Sequence, residues 1–186
     1  MTILMLCGSP RPQSSTARFL AAFPSIIPKE TPKTSLEHTW LMQPSLGDLP
    51  LFTPSALEAE QGGKTPEVFT KVIALRQNLR NADAVVIATP EYAHNLPAAL
   101  KSALEWTVAS GEFSRKPVLA ITCTPHPPRG EYCMRSLVWT LQALDANVLA
   151  EVPLYDVARK LDARGRVVDK EMREVLEACL ELLGVA

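Results

Sequence analysis

Hydroxyl side chains and an arginine crowd the first loop of the chain. Five side chains that could bind an anion occur within residues 9–16: Ser9, Arg11, Ser14, Ser15 and Thr16. An arginine fork and hydroxyl groups bind phosphate oxygens, and the opening of a helix adds free N–H groups and a positive dipole. A polar turn that caps a helix, with Arg11 in solvent, would have the same composition. The loop alone therefore predicts either a phosphate site or a simple helix cap.

Sharper phosphate motifs are missing from the sequence. Neither the dinucleotide fingerprint G-x-G-x-x-G nor the P-loop motif G-x-x-x-x-G-K-[ST] occurs. Cys7 before the loop invites comparison with the small tyrosine phosphatases, whose nucleophile needs an arginine six residues downstream. That position holds Gln13, so a phosphatase loop is not indicated.

A second loop whose residues could bind a ligand follows the apolar run Ala84–Ala88. This run has the character of a strand buried on both faces. Its candidate residues are Pro90, Glu91, Tyr92, Ala93 and His94. Pro97 suits the first turn of the helix that follows, whose apolar stripe is predicted to be Leu96, Leu100, Leu104 and Val108. Open α/β sheets bind ligands at loops of this kind. We expect the two loops to hold one flat, phosphorylated cofactor between them.

Apolar runs and helical stripes alternate along the whole chain. Strands are predicted at 2–7, 35–42, 84–88, 117–122 and 147–152. Helical spacing of apolar residues follows each of these runs, although a long stretch precedes the second helical pattern. This order predicts an α/β fold: a three-layer, doubly wound, five-stranded parallel sheet of the flavodoxin-like kind, in one domain over residues 1–186.

The stretch from Pro44 to Pro66 is predicted to be a long loop without a helix or strand. Loops of this length are unusual in a compact domain, so Leu49, Leu51 and Phe52 are candidate contacts for a partner. Thr65 is predicted to cap the next helix, with Pro66 at its first position, an end at Asn81 and a buried face that includes Ile73.

Composition limits the classes of function. The chain has 186 residues and a formal net charge of −1, so no general attraction to nucleic acid or anionic membrane is expected. No apolar run reaches the length of about 20 residues that a membrane helix needs. Four scattered cysteines and a short, uncharged apolar start indicate a cytoplasmic protein without disulfides.

The two loops together resemble a known family. Gly8-Ser9-Pro10-Arg11-x-x-Ser14, joined to Thr89-Pro90-Glu91-Tyr92…Pro97-x-x-Leu100-Lys101-x-x-Leu104-x-Trp106, is similar to the NADPH-dependent FMN reductases, a family of flavodoxin-like proteins. The segments 48–52 and 161–169 extend the resemblance over nearly the full length.

This resemblance implies that Ser9, Arg11, Ser14 and Thr16, with Ser15 adjacent, hold the phosphate of FMN. It also implies that residues 90–94 line the flavin ring, largely through backbone amides. Hydride would pass from NADPH or NADH through FMN to a small acceptor such as a quinone, an azo compound, a metal oxyanion or a free flavin. No catalytic side chain is required because the cofactor carries the chemistry. Glu91 is expected to brace the loop or to contact the ring rather than to act as a general base. A homodimer or homotetramer is implied as well.

One alternative stays open at this point. The loop after the fourth strand, residues 124–130, contains three prolines, which lack N–H donors and narrow the approach of a ring. A flavodoxin-like protein with weakened FMN binding, acting as an electron carrier or a partner-binding module, would also fit the sequence.

Overall fold

Five parallel strands form the centre of the computed structural model, which describes residues 1–27, 38–62 and 67–185. The strands are β1 (Thr2–Cys7), β2 (Thr39–Met42), β3 (Ala84–Thr89), β4 (Pro117–Thr124) and β5 (Asn147–Tyr155). Their order in the sheet is β2-β1-β3-β4-β5. The predicted five-stranded parallel sheet is therefore confirmed, and β3 is buried along its whole length.

Six α-helices accompany the sheet in the described part of the chain. They are α1 (Ser15–Ala22), α2 (Pro54–Gln61), α3 (Thr70–Asn81), α4 (Ala98–Glu105), α5 (Glu131–Ala143) and α6 (Lys170–Leu182). Short 3-10 turns occur at Phe23–Ile26, Leu46–Asp48 and Glu67–Phe69. The predicted cap at Thr65 and Pro66, and residues 35–37 of the second predicted strand, lie outside the described residues. None of the helices described is long and apolar enough to cross a membrane.

The helices cover both faces of the sheet, which makes the three predicted layers. On one face, α1 and α6 bury Phe19, Leu20 and Leu176 against the strands. On the other face, α3, α4 and α5 do the same with residues such as Leu79 and Leu100. This burial is why the strands read as continuous apolar runs rather than as alternating ones.

The order of the strands places one switch point in the sheet. From β1 the chain moves to the edge strand β2, and from β3 it moves the other way to β4. The loops after β1 and β3 therefore diverge from adjacent strands, and the crevice between them is where such sheets bind ligands. Gly8 lies at this point and joins the end of β1 to the end of β3, because its N–H donates to the carbonyl of Ala88 at 2.8 Å. A Cβ at position 8 would lie 2.6 Å from Thr89 Cβ, so the approach leaves no room for a side chain.

The prediction of a structureless loop over residues 44–66 was wrong. The hydroxyl of Thr53 accepts a hydrogen bond from the N–H of Ala56 at 3.0 Å, and Pro54 occupies the first turn of α2. Leu49 and Phe52 pack with Trp106 and Phe69 in a small third cluster, so they are not free for a partner. Leu51 is the exposed member of the three.

Two further residues do not lie where the apolar spacing placed them. Helix α4 ends at Glu105, so Val108 falls beyond its stripe and is 63% exposed. On α3, the buried residues Val72, Leu75, Arg76 and Leu79 form the inward stripe, which leaves Ile73 on the outer side. A buried arginine in this stripe is a polar residue where periodicity predicts an apolar one.

Arg76 holds α2 and α4 together from this buried position. Its Nε and Nη2 atoms donate to the carbonyl oxygen of Trp106 at 3.0 and 2.7 Å. Its Nη1 atom lies 3.1 Å from Glu60 Oε2, and the two side chains are only 7% and 14% exposed. Removing one partner of such a pair leaves a shielded charge without compensation.

We expect Arg76→Met to lower the free energy of unfolding by about 3–5 kcal/mol, because Glu60 and the carbonyl of Trp106 lose their donors together. Urea denaturation measures this change. Lys71→Met is the matched control on α3, since Lys71 and Asp48 form an exposed pair with side chains 59% and 56% accessible. The control should change stability by less than about 1 kcal/mol. Equal effects of the two substitutions would show that Arg76 has no special structural role.

Candidate functional site

A cavity of about 320 Å³ opens where the loops after β1, β3 and β4 meet. Its lining comprises Ser9, Arg11, Ser14, Ser15, Thr16, Pro90, Glu91, Tyr92, Cys123, Thr124, Pro125 and Arg129. Every residue predicted from the first loop is in this set, as are Pro90, Glu91 and Tyr92 from the second. Ala93 and His94 lie in the adjoining turn, outside the lining.

The end of the cavity at the first loop is a cluster of buried hydroxyl groups. Ser9, Ser14 and Thr16 are each buried, which is uncommon for side chains of this type. Ser14 is the N-cap of α1, and its Oγ accepts from the N–H of Ala17 at 3.0 Å. The same hydroxyl lies 3.9 Å from Cys7 Sγ, where either group can be the donor.

Backbone donors and a cation complete this end. Within the described residues, the N–H groups of Ser15 and Thr16 donate to no protein acceptor, as expected in the first turn of a helix. The guanidinium of Arg11 likewise makes no ion pair with any described residue. The backbone N–H of Arg11 donates to Ser9 Oγ at 3.4 Å. Hydroxyls, free amides and one unpaired arginine are the donor set that a phosphate ester needs.

The loop after β3 ends in a tight turn. The N–H of Tyr92 donates to the carbonyl of Asn95 at 3.0 Å, and the N–H of Asn95 returns to Tyr92 at 2.9 Å. The two central residues, Ala93 and His94, have φ of 49° and 57°. In the described part of the chain their own N–H groups have no acceptor, so they are free donors beside the cavity.

Glu91 connects this loop to α5. Its Oε2 atom accepts from the N–H groups of Gly130 at 3.0 Å and Cys133 at 3.3 Å. These amides belong to the first turn of α5, where a negative charge is favoured by the helix dipole. Because Gly130 has no side chain, Glu91 takes the place of a local cap. The carboxylate is therefore a structural brace, as expected from the sequence.

The end of β4 and the loop that follows it contribute lining residues that were not among the predicted site residues: Cys123, Thr124, Pro125 and Arg129. Gly130 turns the chain into α5 with a φ of 99°, and a Cβ there would lie 3.1 Å from Thr122 Oγ1. The signal available in the sequence was the single glycine after three prolines. A glycine there indicates that the loop passes close to the end of β4, where a side chain would not fit.

The thiols around the cavity are poor nucleophiles. Burial raises the pKa of Cys7, although the carbonyl of Ser9 and the hydroxyl of Ser14 oppose this in part. Burial also raises the pKa of Cys123 strongly, and it raises that of Cys133 to about 12 with a further contribution from the charge of Glu91. Thiolates are therefore scarce near neutral pH, and nucleophilic catalysis by cysteine is disfavoured.

A larger cavity of about 730 Å³ lies along α5 and the edge strand β5, with Met134, Trp139 and Tyr155 in its lining. It contains none of the buried hydroxyls and lies away from the switch point between β1 and β3. We regard the smaller cavity as the functional site, because its donors converge on one point and the sheet topology predicts a ligand there.

The parallel β2-β1-β3-β4-β5 sheet, with this cavity at its switch point, defines a flavodoxin-like protein. Comparison with known proteins makes the assignment more specific. The chain belongs to the NADPH-dependent FMN reductase family, whose model matches residues 1–159. The family expected from the two loop motifs is thus confirmed.

Curated relatives agree with this assignment. A quinone reductase of Escherichia coli K12 is 29% identical over 189 residues, which cover 99% of this chain and 94% of the relative. Subunit 2 of an NADH-dependent flavin reductase of Lactobacillus johnsonii is 45% identical over 137 residues, or 68% of each chain. Among solved structures, FerB of Paracoccus denitrificans, a flavoenzyme NAD(P)H:(acceptor) oxidoreductase, superposes with a TM-score of 0.80 at 19% identity, covering 99% of this chain and 96% of FerB.

We expect Glu91→Gln to loosen the contact between the β3 loop and α5, because a neutral amide accepts hydrogen bonds less strongly than a carboxylate. The cost should be about 1–3 kcal/mol in the free energy of unfolding. Hydrogen exchange at the amides of Gly130 and Cys133 should also become faster. Glu131→Gln is the matched control, since Glu131 is exposed and, among the residues that the structure describes, forms an ion pair with Arg135 alone. Unchanged exchange at both amides in Glu91→Gln would contradict the bracing role.

Proposed function

We propose that this protein is an FMN-dependent NAD(P)H oxidoreductase that passes hydride from NADPH or NADH, through bound FMN, to a small-molecule electron acceptor. Quinones, azo compounds, metal oxyanions and free flavins are the candidate acceptors. The observation that carries the proposal is one cavity that joins a buried hydroxyl cluster to the loop after β3. FMN would supply the redox chemistry, and the protein would supply binding, orientation and electrostatics.

The first loop suits the phosphate of FMN. Ser9, Ser14, Ser15 and Thr16 would donate from hydroxyls or helix amides, and Arg11 would supply the positive charge. Three of these hydroxyl residues are already buried, so little solvent has to be displaced from them. A helix opening with free N–H groups is itself a favourable position for a dianion.

The second loop suits the ring. Pro90, Glu91 and Tyr92 line the cavity. The free amides of Ala93 and His94 would donate to carbonyl oxygens and ring nitrogens of the flavin. Fixed backbone donors stabilise negative charge on a bound ring with little reorganisation. Glu91 is engaged by two amides of α5, so its role would be to hold this loop in place rather than to act as a base.

The quaternary state and location remain proposals. We propose a homodimer or homotetramer in the cytoplasm, without nucleic-acid or membrane partners. Trp139 on α5 is exposed beside the larger cavity, and Leu51 is exposed on the segment before α2, so both offer apolar contact surface. Sedimentation of the FMN-loaded protein at micromolar concentration should show the oligomer, and a monomer at that concentration would contradict it.

We expect Arg11→Ala to weaken FMN binding about 10- to 100-fold, because a charge-assisted hydrogen bond contributes about 1.5–3 kcal/mol. Fluorescence titration of the apoprotein with FMN measures the dissociation constant. Arg18→Ala is the matched control, since Arg18 lies on α1 away from the cavity lining and contacts the carbonyl of Asp162. Equal FMN affinity of the two variants would show that the phosphate binds elsewhere.

The same preparation tests the reaction. Protein loaded with FMN should bleach when NADPH or NADH is added and regain its colour when a quinone follows. A loaded protein that is not reduced by either nicotinamide would instead be a flavin-binding electron carrier. A protein that cannot be loaded would favour a partner-binding module.

A further inference from the structure

His94 has a backbone conformation that is uncommon for a residue with a side chain, although histidine adopts it more readily than most. It is one of the two central residues of the turn between Tyr92 and Asn95, and both have positive φ. Turns of this kind favour glycine or asparagine, since a Cβ is unfavourable in the left-handed region. Residues held there against their preference concentrate at functional sites. The feature to be explained is therefore the side chain of His94.

Two groups face that side chain. The Nδ1 atom of His94 lies 3.6 Å from Glu91 Oε1, within the range of an ion pair when the ring is protonated. The ring also meets Tyr132 of α5 edge to face, with centroids 5.2 Å apart. Glu91 is itself fixed by the amides of Gly130 and Cys133. His94 therefore contacts a fixed carboxylate and an aromatic ring.

The rest of the imidazole is open to solvent. The side chain of His94 is 75% exposed, and its Nε2 atom has no hydrogen-bond partner within residues 1–27, 38–62 and 67–185. Tyr92, which lines the cavity, and Tyr132 are each about half exposed as well. Beside the cavity, which Tyr92 lines, His94 and Tyr132 thus present an imidazole Nε2 atom without a partner among the described residues and a second aromatic ring.

We propose that His94 is a specificity-determining residue for the electron acceptor: its ring donates a hydrogen bond from Nε2 to a carbonyl oxygen of a planar quinone at the cavity mouth. The aromatic rings of Tyr92 and Tyr132 give the quinone flat apolar surfaces. Glu91 Oε1 lies 3.6 Å from Nδ1, so the carboxylate orients the ring from that side. The proposal rests on the proposed function, because the acceptor would have to lie against bound FMN.

A quinone fits these groups better than a metal oxyanion does. It has a flat aromatic face for the tyrosines and a carbonyl acceptor at its edge for an imidazole donor. A small metal oxyanion has the acceptor oxygens but no face to stack. The inference is therefore selective: loss of the His94 side chain should penalise quinones more than chromate.

Two glycine substitutions separate the side chain from the backbone. His94→Gly removes the imidazole and relieves the left-handed residue, whereas Ala93→Gly relieves the neighbouring residue and keeps the imidazole. Both variants should unfold at the same temperature as the parent protein or higher, since glycine tolerates positive φ. The backbone amides at positions 93 and 94 are retained in both variants, and FMN affinity is measured first so that all later comparisons are made at saturating FMN.

The decisive measurement uses the oxidised, FMN-loaded protein without nicotinamide. Titration with 1,4-naphthoquinone, followed by the flavin absorption spectrum, gives a dissociation constant that does not depend on turnover. We expect this constant to rise about 3- to 10-fold in His94→Gly, as for the loss of one hydrogen bond, and to stay unchanged in Ala93→Gly. Added imidazole should restore part of the affinity of His94→Gly. In turnover, the ratio of kcat/KM for naphthoquinone to kcat/KM for chromate should fall by the same factor in His94→Gly and should keep its parental value in Ala93→Gly.

Three results would overturn the proposal. Parental affinity for naphthoquinone in His94→Gly would show that the imidazole makes no contact with the acceptor. Equal losses in both glycine variants would assign the effect to the turn backbone. A weaker FMN affinity in His94→Gly alone would make His94 a cofactor ligand. Failure of the parent protein to bind FMN is a different result, since it would refute the proposed function together with this inference.

Discussion

The hydrogen bonds from a buried carboxylate to the start of a helix are the interaction on which the site depends. Glu91 leaves the end of β3 and accepts from the amides of Gly130 and Cys133, which lie 39 and 42 residues further along the chain. These bonds fix the loop after β3 relative to the loop after β4 and to the start of α5. A buried charge is tolerable here since two N–H groups and the helix dipole compensate it.

The consequences of this link extend in both directions. Towards the first loop, the fixed β3 loop forms one wall of a cavity whose other wall is the opening of α1. Towards α5, the same carboxylate replaces a cap that Gly130 cannot provide, and its charge helps to raise the pKa of the Cys133 thiol. The turn that carries His94 leans on Glu91 as well. Binding groups and structural groups are therefore coupled through one side chain.

The loop proposed to bind the phosphate, residues 9–16, differs in its donors from glycine-rich nucleotide loops. Prolines at positions 10 and 12 remove two backbone donors, and buried hydroxyls replace them. Gly8, which directly follows β1, is the residue next to this loop that close packing requires to be a glycine, since Thr89 occupies the space that a Cβ would take. A loop of this composition carries little of the usual sequence signature, although its position after β1 is the ordinary one.

Local pattern determined most of the architecture and the location of the site. Continuous apolar runs identified the five strands, and the two loop motifs placed the candidate residues around one cavity. Pattern failed where the reason was not local. Arg76 is buried because Glu60 and a carbonyl of α4 reach it, and Leu49 and Phe52 turn inward because Trp106 lies beneath them. Helix α2 was missed because its Thr-Pro cap stands in a stretch rich in prolines, and its eight residues include none that is buried.

The sequence by itself thus determined the fold class and the family, since these depend on periodicity and on short motifs. It also predicted which two loops would hold a phosphorylated ring. Only the tertiary structure decided what Glu91 bonds to, which residues of the β4 loop enter the cavity, and that His94 stands between Glu91 and Tyr132. Those contacts join residues far apart in the chain, and no periodic signal encodes a pairing that arises from the packing of three separate loops.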